Sequence, residues 1–504
     1  MNNQKHKIIV AGCFALLMGL TASQSARGAG FLVYDVSGEA LGKGSAVTAS
    51  TNEPAAVFFN PAALAHMEGY QFSLGTVWVN AKASFEEEAT GSKTEAIPRK
   101  GGFWLPTIYA MARLNKWVSV GLGVYTIFGL GIEWPYNWTG REGAILADIE
   151  TVTFSPTVAI RLHEKFSIGF GLNVIRGVVD ITNGLPAAIG GHVQVGGATF
   201  GFGAHAALLY RPLPEKLHFG VTYHSRAKLA FNGRADFEPE HEEFIPELQD
   251  QGGKASITLP DIISLGVMYR PIPQFTITFD TNIVMWSTYD ELKLDFELRD
   301  DQILMRKNKN VATFRLGLEY ALPVKGLKVR MGFIYDMNPA PKEYLSPSLP
   351  DANRFDVAVG VGYEWNWLKV DLGYLFVYFL DSKSVGGLEG PIGTYRSIAH
   401  LTALTFTARF GRGAKKCGCG KHPKGKHVEP APLPPQDDPR VAPPVDRPVK
   451  RPVRPAPPVK TRPRVTPPAK RTAPAPAKRT TPAPAKGTTP APAKGPAGAV
   501  TPAP

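Results

Sequence analysis

Arg354-Phe-Asp-Val-Ala-Val-Gly-Val-Gly-Tyr-Glu-Trp365 decides the fold. Phe355, Val357, Val359, Val361, Tyr363 and Trp365 alternate with Asp356, Ala358, Gly360, Gly362 and Glu364. A period of two places the two sets on opposite faces of a β-strand. The stretch from Lys165 to Val174 repeats the pattern: Phe166, Ile168, Phe170, Leu172 and Val174 fall between Lys165, Ser167, Gly169, Gly171 and Asn173. One face is bulky and apolar throughout, and the other is glycine or small and polar. That division fits a membrane barrel with lipid outside and a lumen within. A soluble sandwich, which turns its polar face to bulk water, is the competing reading.

Fourteen such segments run from Tyr70 to Phe410: roughly 70–81, 102–113, 117–127, 148–162, 165–180, 193–210, 216–231, 255–270, 274–297, 309–321, 326–337, 353–365, 367–380 and 395–410. The connections near Asn115, Glu164, Pro214, Pro273, Lys325 and Asn366 are short. Those at 82–101, 128–147, 181–192, 232–254, 298–308, 338–352 and 381–394 are long. Strict alternation of short turns and long loops, with an even strand count, is the habit of bacterial outer-membrane barrels. The expected fold is therefore all-β: a 14-stranded antiparallel transmembrane β-barrel over 70–410, with both ends on the short-turn, periplasmic side. Pro106 and Pro156 fall inside strands, where each removes a ladder hydrogen bond. Rim bulges are the ordinary explanation, and the border of a wall opening is the functional one.

The flanks differ from the barrel in composition. Lys5, Lys7, the apolar run Ile8–Leu20 and the small residues Ala26-Arg27-Gly28 read as a signal peptide over 1–28, with a mature start near Ala29. Val10-Ala11-Gly12-Cys13 resembles a lipoprotein box, but the apolar run continues past it. No later stretch reaches the ~18 consecutive apolar residues of a spanning helix. Secretion without spanning helices points to an outer membrane, and the barrel has no cysteine to build a disulfide framework. Residues 29–69 are apolar enough (Phe31, Val57, Phe58, Phe59, Leu64) to fold back into the lumen as a plug rather than hang free as an arm.

Residues 411–504 hold 25 prolines and 20 Lys/Arg against 4 Asp/Glu, a net of +16. The whole chain carries +13, so the rest carries −3, and about −6 once the signal peptide's three basic residues are removed. The tail is expected to be disordered and polyproline-like, with a reach of roughly 290 Å at about 3.1 Å per residue. Cys417, Cys419, His422 and His427 have soft-metal ligand chemistry, but an unused or disulfide-forming thiol pair explains them equally, and no metal or other cofactor is expected. His224-Ser225 places its two side chains on opposite strand faces, so no enzyme is expected, and no nucleic-acid partner either.

Several local stretches, in order over some 380 residues, resemble the FadL family of outer-membrane long-chain fatty acid and hydrocarbon channels. Ala29-Gly30-Phe31, the glycines Gly38, Gly42 and Gly44, and Asn60-Pro61-Ala62 are similar to that family's N-terminal hatch. Phe128-Gly129-Leu130, Trp134-Pro135 and Trp138-Thr139-Gly140-Arg141 resemble an outer loop. Leu259-Pro260-Asp261, Asp280, Trp286-Ser287, Asp290-Glu291-Leu292, Pro339-Ala340-Pro341, Leu349-Pro350-Asp351 and Arg354 complete the set. The resemblance implies a monomer embedded among outer-membrane lipids. It also implies capture of a long-chain fatty acid or other hydrophobic molecule on outer loops, an inner pocket, and sideways exit through a wall gap.

It further implies roles for single residues. Phe31 would line the pocket, against plain plug packing. Asn60, Pro61 and Ala62 would gate the wall gap, against a simple tight turn. Arg306 falls where fatty-acid members place one basic contact; a second has no counterpart, and Asn183 stands there. Arg306, Lys307 and Lys309 also read as solvated loop charge. Trp134, Tyr136 and Trp138 would form a capture patch, or else an interfacial girdle. Phe410 would be an assembly signal, although the chain continues past it. An aqueous porin is disfavoured by the hatch. A structural role, the barrel as anchor and the tail as tether to peptidoglycan, uses different residues and is compatible with transport.

A tail of +16 on a stiff chain is expected to bind acidic polymer with an affinity that salt weakens. The full-length protein should sediment with purified cell-wall sacculi at low salt and release at high salt. Sedimentation that is absent, or indifferent to salt, removes the electrostatic tether.

Overall fold

The computed structural model describes residues 31–98, 102–298, 300–386 and 390–411. The signal-peptide, mature-start and tail assignments, including Cys417, Cys419, His422 and His427, lie outside them. Strand segments follow in chain order: β1 (Tyr70–Glu87), β2 (Lys93–Glu95), β3 (Phe103–Arg113), β4 (Val118–Tyr125), β5 (Gly129–Glu133), β6 (Leu146–His163), β7 (Phe166–Gly184), β8 (His192–Leu213), β9 (Leu217–His224), β10 (Ala227–Glu238) and β11 (Gln251–Leu259). Then come β12 (Ile262–Ile272), β13 (Phe275–Val284), β14 (Glu291–Phe296), β15 (Gln302–Met305), β16 (Val311–Ala321), β17 (Leu327–Asp336), β18 (Arg354–Trp365), β19 (Leu368–Phe379), β20 (Ser382–Ser384) and β21 (Gly393–Phe410).

β2, β15 and β20 lie in long loops. β4/β5, β9/β10, β11/β12 and β13/β14 each make one interrupted stave. Fourteen antiparallel staves remain, as the alternation predicts. β1 pairs with β21 from Tyr70↔Phe410 to Glu87↔Gly393, which closes the barrel. Closure removes every free edge, the condition for a sheet to span hydrocarbon.

The turn residues act as their chemistry dictates. Asn115 Oδ1 accepts the Trp117 and Val118 N–H groups at 2.8 and 2.9 Å, and Asn366 adopts a left-handed φ of 50° between β18 and β19. The strand faces divide as the sequence requires. Phe355, Val357, Val359, Val361, Tyr363 and Trp365 are exposed on the outer wall, while Asp356 and Ala358 are buried in the lumen.

The alternation misplaces the long-loop ends. β1 runs six residues beyond the expected 81, β7 extends to Gly184, and β5 lies within the stretch read as loop 128–147. These segments pair above the main band, where neighbouring long loops hold one another rather than lipid. Pro106 and Pro156 produce no register shift. The shifts lie at Arg161/His163, Tyr210/Leu213 and Tyr269/Ile272, beside short turns. Pro156 instead drops out of the β6–β7 ladder between Phe154↔Val174 and Thr157↔Gly171 with the register unchanged.

The segment before β1 does fill the lumen. It forms two short helices, α1 (Gly38–Gly42), whose N-cap Ser37 accepts from the Ala40 N–H, and α2 (Ala56–Phe59), followed by a 3-10 turn over Pro61–His66. Its glycines let backbone meet backbone: a Cβ at Gly42 would lie 2.9 Å from Gly360 Cα, and Gly44 turns at φ +58° against Gly332.

Phe410 ends β21 on the outer face, opposite Tyr70 and stacked on Trp367 at 6.2 Å. Phe410→Ala should reduce the amount of heat-modifiable, folded barrel in outer membranes. Unchanged amounts would show that closure at this rim proceeds without it.

Candidate functional site

The β4/β5 stave is interrupted in the upper half of the wall, and the cause is local. The β3–β4 ladder ends at Ile108↔Val124, and β6 takes up β5 only from Gly129↔Glu150. Between them Thr126-Ile127-Phe128 leaves the wall and turns inward, with Ile127 and Phe128 buried. Two side-chain bonds hold the bend: Thr126 Oγ1 donates to Thr151 O at 2.7 Å, and Thr151 Oγ1 to Phe128 O at 2.5 Å. The displaced backbone pairs with the hatch instead. Val33 N donates to Ile127 O at 2.7 Å, Gly129 N to Phe31 O at 2.8 Å, and Leu32 bridges Phe128. Pro106 stands on β3 in the stretch past the end of the β3–β4 ladder, paired to Thr76 on its other side, so it borders the break. Phe103 packs across the top of the gap, where a Cβ on Gly131 would meet its ring at 2.5 Å.

Phe31 sits at the break as the centre of an aromatic group: Trp286 at 4.9 Å, Phe128 at 5.9 Å and Tyr289 at 5.9 Å between ring centroids. A second group adjoins it in the same apolar core. Trp134 and Trp138 stack at 4.4 Å beside Phe85 and Tyr395. Their indole N–H groups donate to Pro347 O and Ala144 O, at 3.1 and 2.8 Å. Both tryptophans are fully enclosed, so they form neither a lipid-interface girdle nor an open capture patch. Only Tyr136 of that trio is exposed, with the Arg141 guanidinium over its ring. Isolated indoles near Pro135 gave no signal of this inward fold, which depends on loop contacts distant in sequence.

Asn60-Pro61-Ala62 lies elsewhere. Asn60 Oδ1 accepts the Ala62 N–H, while Nδ2 donates to Thr48 O at 2.7 Å and Leu208 O at 3.1 Å. Pro61 and Ala62 seat on Gly169, and Ser167 Oγ donates to Ala62 O at 2.8 Å. The motif thus rests on β7 and β8, and it is Phe31-Leu32-Val33 that meets the break. Phe58 of α2 links the two regions, packed on Tyr125 at 5.3 Å. His224 Nε2 contacts Phe58 O at 3.1 Å, while the half-buried Ser225 turns its hydroxyl to Ala204 N and Arg226 O, so the pair faces apart as its strand spacing requires. Arg306 and Asn183 are half-buried; the Arg306 N–H donates to Asp290 O at 2.8 Å. Lys307 pairs with Asp290 at 2.7 Å, which makes it part of a loop ion pair.

Opposite the break, the hatch is held by charge. Lys369 Nζ lies among Asp371 (2.7 Å), Glu53 (3.6 Å) and Glu39. Arg330 bonds Glu319 and Asp371, each at 2.8 Å, and Lys43 bonds Glu39 at 2.8 Å. The three carboxylates Glu39, Glu53 and Asp371 are close enough to hold a metal ion, but the Lys369 ammonium already supplies their cation. Burial would raise the Glu39 carboxyl, yet Lys369, Lys43 and Arg330 outweigh it and hold the group well below the usual range. Its contribution is therefore present above the ordinary carboxylate pKa and is lost only as pH falls through the lowered value. These acids and bases carried no motif in the sequence. Only Arg330, Lys369 and Asp371 are marked, by the luminal parity of β17 and β19.

With the geometry established, comparison with known proteins is decisive. The family model described as outer membrane protein transport protein (OMPP1/FadL/TodX) matches residues 19–410. The chain belongs to this family. It is 25% identical over 401 residues to a long-chain fatty acid transport protein of Salmonella typhi, covering 73% of this chain and 91% of that one. Outer membrane protein P1 of Haemophilus influenzae is 24% identical over 444 residues, covering 77% and 94%. Among solved structures, a Pseudomonas aeruginosa FadL homologue superposes with a TM-score of 0.69 at 20% identity, over 76% of this chain and all of that one. The Pseudomonas putida toluene transporter TodX gives 0.60 at 14%, over 77% and 99%. At such identities the structures establish the shared fold.

Lys369→Met would leave Glu39, Glu53 and Asp371 without their shared ammonium. Removing one partner of a buried ion pair costs about 3–5 kcal/mol. The variant should melt earlier in detergent and expose the hatch to added protease, and a second change, Asp371→Asn, should restore part of the loss. An unaltered melting temperature and cleavage pattern would show that the network does not hold the hatch.

Proposed function

We propose that this family member admits long-chain fatty acids or other hydrophobic compounds across the outer membrane and releases them sideways at the Thr126–Phe128 break. The relatives named for long-chain fatty acid transport, and the toluene transporter that shares the fold, support the substrate class. In this reading the short-turn rim and both barrel ends face the periplasm, and the long loops face outward. A ligand enters among those loops, reaches the aromatic core around Phe31 and Trp286, and passes the inward bend into the membrane.

The observation that carries the proposal is the pairing of Phe31-Leu32-Val33 with the displaced Ile127-Phe128-Gly129 backbone. The break is closed by a separable segment rather than by wall. Each CH₂ gains about 0.8 kcal/mol on leaving water, so a lateral route that stays apolar keeps the ligand's main interaction. Asn60, Pro61 and Ala62 set the far end of the hatch, and through Phe58 they fix where Phe31 stands. The tail, if it grips peptidoglycan, adds an anchoring role without using the channel.

Joining Leu32→Cys to Phe128→Cys by oxidation should stop uptake of a labelled long-chain fatty acid, and of toluene, with recovery on reduction. Asn60→Ala with Pro61→Ala should lower uptake without loss of folded barrel. Transport that persists through the cross-link would rule out exit at this break.

A further inference from the structure

The short-turn rim is electrically lopsided. On the β16–β21 side each luminal cation meets a carboxylate: Lys328 with Glu319 at 2.9 Å, Arg330 with Glu319 and Asp371, Lys369 with Asp371, and Arg409 with Glu364 at 2.6 Å. The β3–β12 side differs. Arg113 ends β3, and Arg161, Arg211 and Arg270 stand two residues before the ends of β6, β8 and β12. Arg113 shares the parity of the buried Met111, Arg161 reaches Ala65 of the hatch, Arg211 reaches His218 (which meets Ala49 O), and Arg270 reaches the buried Thr276, so all four face the mouth.

Among the described residues, none of the four has a carboxylate within 4 Å. Each spends only one or two of its five N–H donors on neutral acceptors. Arg113 reaches Asn115 O (3.1 Å) and Lys116 O, and Arg161 reaches Ala65 O (3.0 Å). Arg211 reaches His218 and Pro214 O, each at 3.3 Å, and Arg270 reaches Thr276 Oγ1 (3.1 Å). Glu68 and Glu164 act on Arg161, and Glu215 on Arg211, as the acids of this side. Lys116, Lys165 and Lys216 in the adjoining turns match them in number. The four arginines are thus the uncompensated excess. Their convergence is felt at His66 on the hatch: burial first, then Arg211, Arg161, His218 and Arg113, hold its pKa at about 3.

We propose that this arc docks the acidic face of a soluble periplasmic protein. The arginines stand on alternate staves, so neighbours are about 10 Å apart and the arc spans roughly 30 Å. One carboxylate or phosphate cannot bridge that spacing, whereas a protein surface bearing several carboxylates can. Lipid headgroups gather around the outside of the barrel, and these side chains point inward. The protein's own tail, at +16, has the same sign and supplies no complement. A cell-wall polymer would see the whole rim, yet only half of it is uncompensated, which suits a partner held in one orientation. A carboxylate at Arg161 competes with Ala65 O, so docking touches the end of the hatch.

The proposal rests on the periplasmic placement of this rim. An impermeant maleimide applied to intact cells tests that separately with Lys116→Cys. Labelling there would overturn placement and proposal together, and protection supports both. For docking, a fluorescent poly-glutamate peptide is titrated into the full-length barrel in detergent at low salt. Arg113→Gln with Arg211→Gln and Arg270→Gln should weaken binding about tenfold. The matching lysine triple should bind near wild type, and Lys325→Gln with Lys328→Gln on the opposite half should change little. The +16 tail also takes up the peptide, so binding is read at the arc, as energy transfer from the peptide to a dye on Lys116→Cys with Cys417 and Cys419 changed to Ser, and heat-modifiability verifies that each barrel is folded. Binding by the glutamine triple within twofold of wild type, or an equal loss in the opposite-half control, would overturn the proposal. So would a loss of sacculus binding in the triple with the peptide unaffected, since that assigns the arc to the cell wall.

Discussion

A sheet in hydrocarbon has no water to satisfy its backbone, so every N–H and C=O of the spanning band must find a partner within the wall. The ladder between β1 and β21 meets that demand and fixes the rest. It sets the even strand number, brings both barrel ends to one rim, and forces the segment before Tyr70 either out of that rim or up into the lumen. The hatch takes the second course. Its own apolar residues, Val57, Phe58, Phe59 and Leu64, are enclosed there, and the wall glycines Gly121 and Gly123 make room for Val57 and Leu64.

The same demand makes the Thr126–Phe128 break informative. A strand that leaves its neighbour strips backbone groups of their partners, a cost on the order of 1–3 kcal/mol for each buried group left unsatisfied. Here the loss is repaired by the Thr126 and Thr151 hydroxyls and by the hatch backbone at Phe31 and Val33. The repair is made with a segment outside the continuous wall, so the opening and its closure belong to different parts of the chain. The β3–β4 and β5–β6 ladders on either side do not depend on the hatch for their own pairing.

The hatch is attached unequally to its surroundings. Toward β16–β19 it is bound through Glu39, Lys43 and Glu53 to Lys369, Arg330 and Asp371, charges buried together and costly to separate. Toward β4–β9 no ion pair joins it among the described residues, and hydrogen bonds to single groups hold it: Asn60 to Leu208 O, Ser167 to Ala62 O, Thr222 Oγ1 to Phe59 O and Arg161 to Ala65 O. The unequal grip places the firmer hold opposite the break and the softer one beside it.

Much of this was legible in the residues. Alternation in 355–365 and in 166–174 set the strands and their lipid face, because side-chain period and wall orientation are the same fact in a one-layer barrel. The spacing of turns gave the topology, and apolar content gave the plug. Asn60-Pro61-Ala62 and Phe31 were visible as motifs, but not where they would rest, since the chain folds back across strands more than a hundred residues away. The enclosure of Trp134 and Trp138, the Lys369 network and the arginine arc were likewise invisible in one dimension. Each is assembled from residues on different staves, and only the register of the closed wall brings them together. Period and composition fix what a strand is and which side faces lipid; which luminal side chains meet is decided by closure, where stave order and stagger put distant residues face to face.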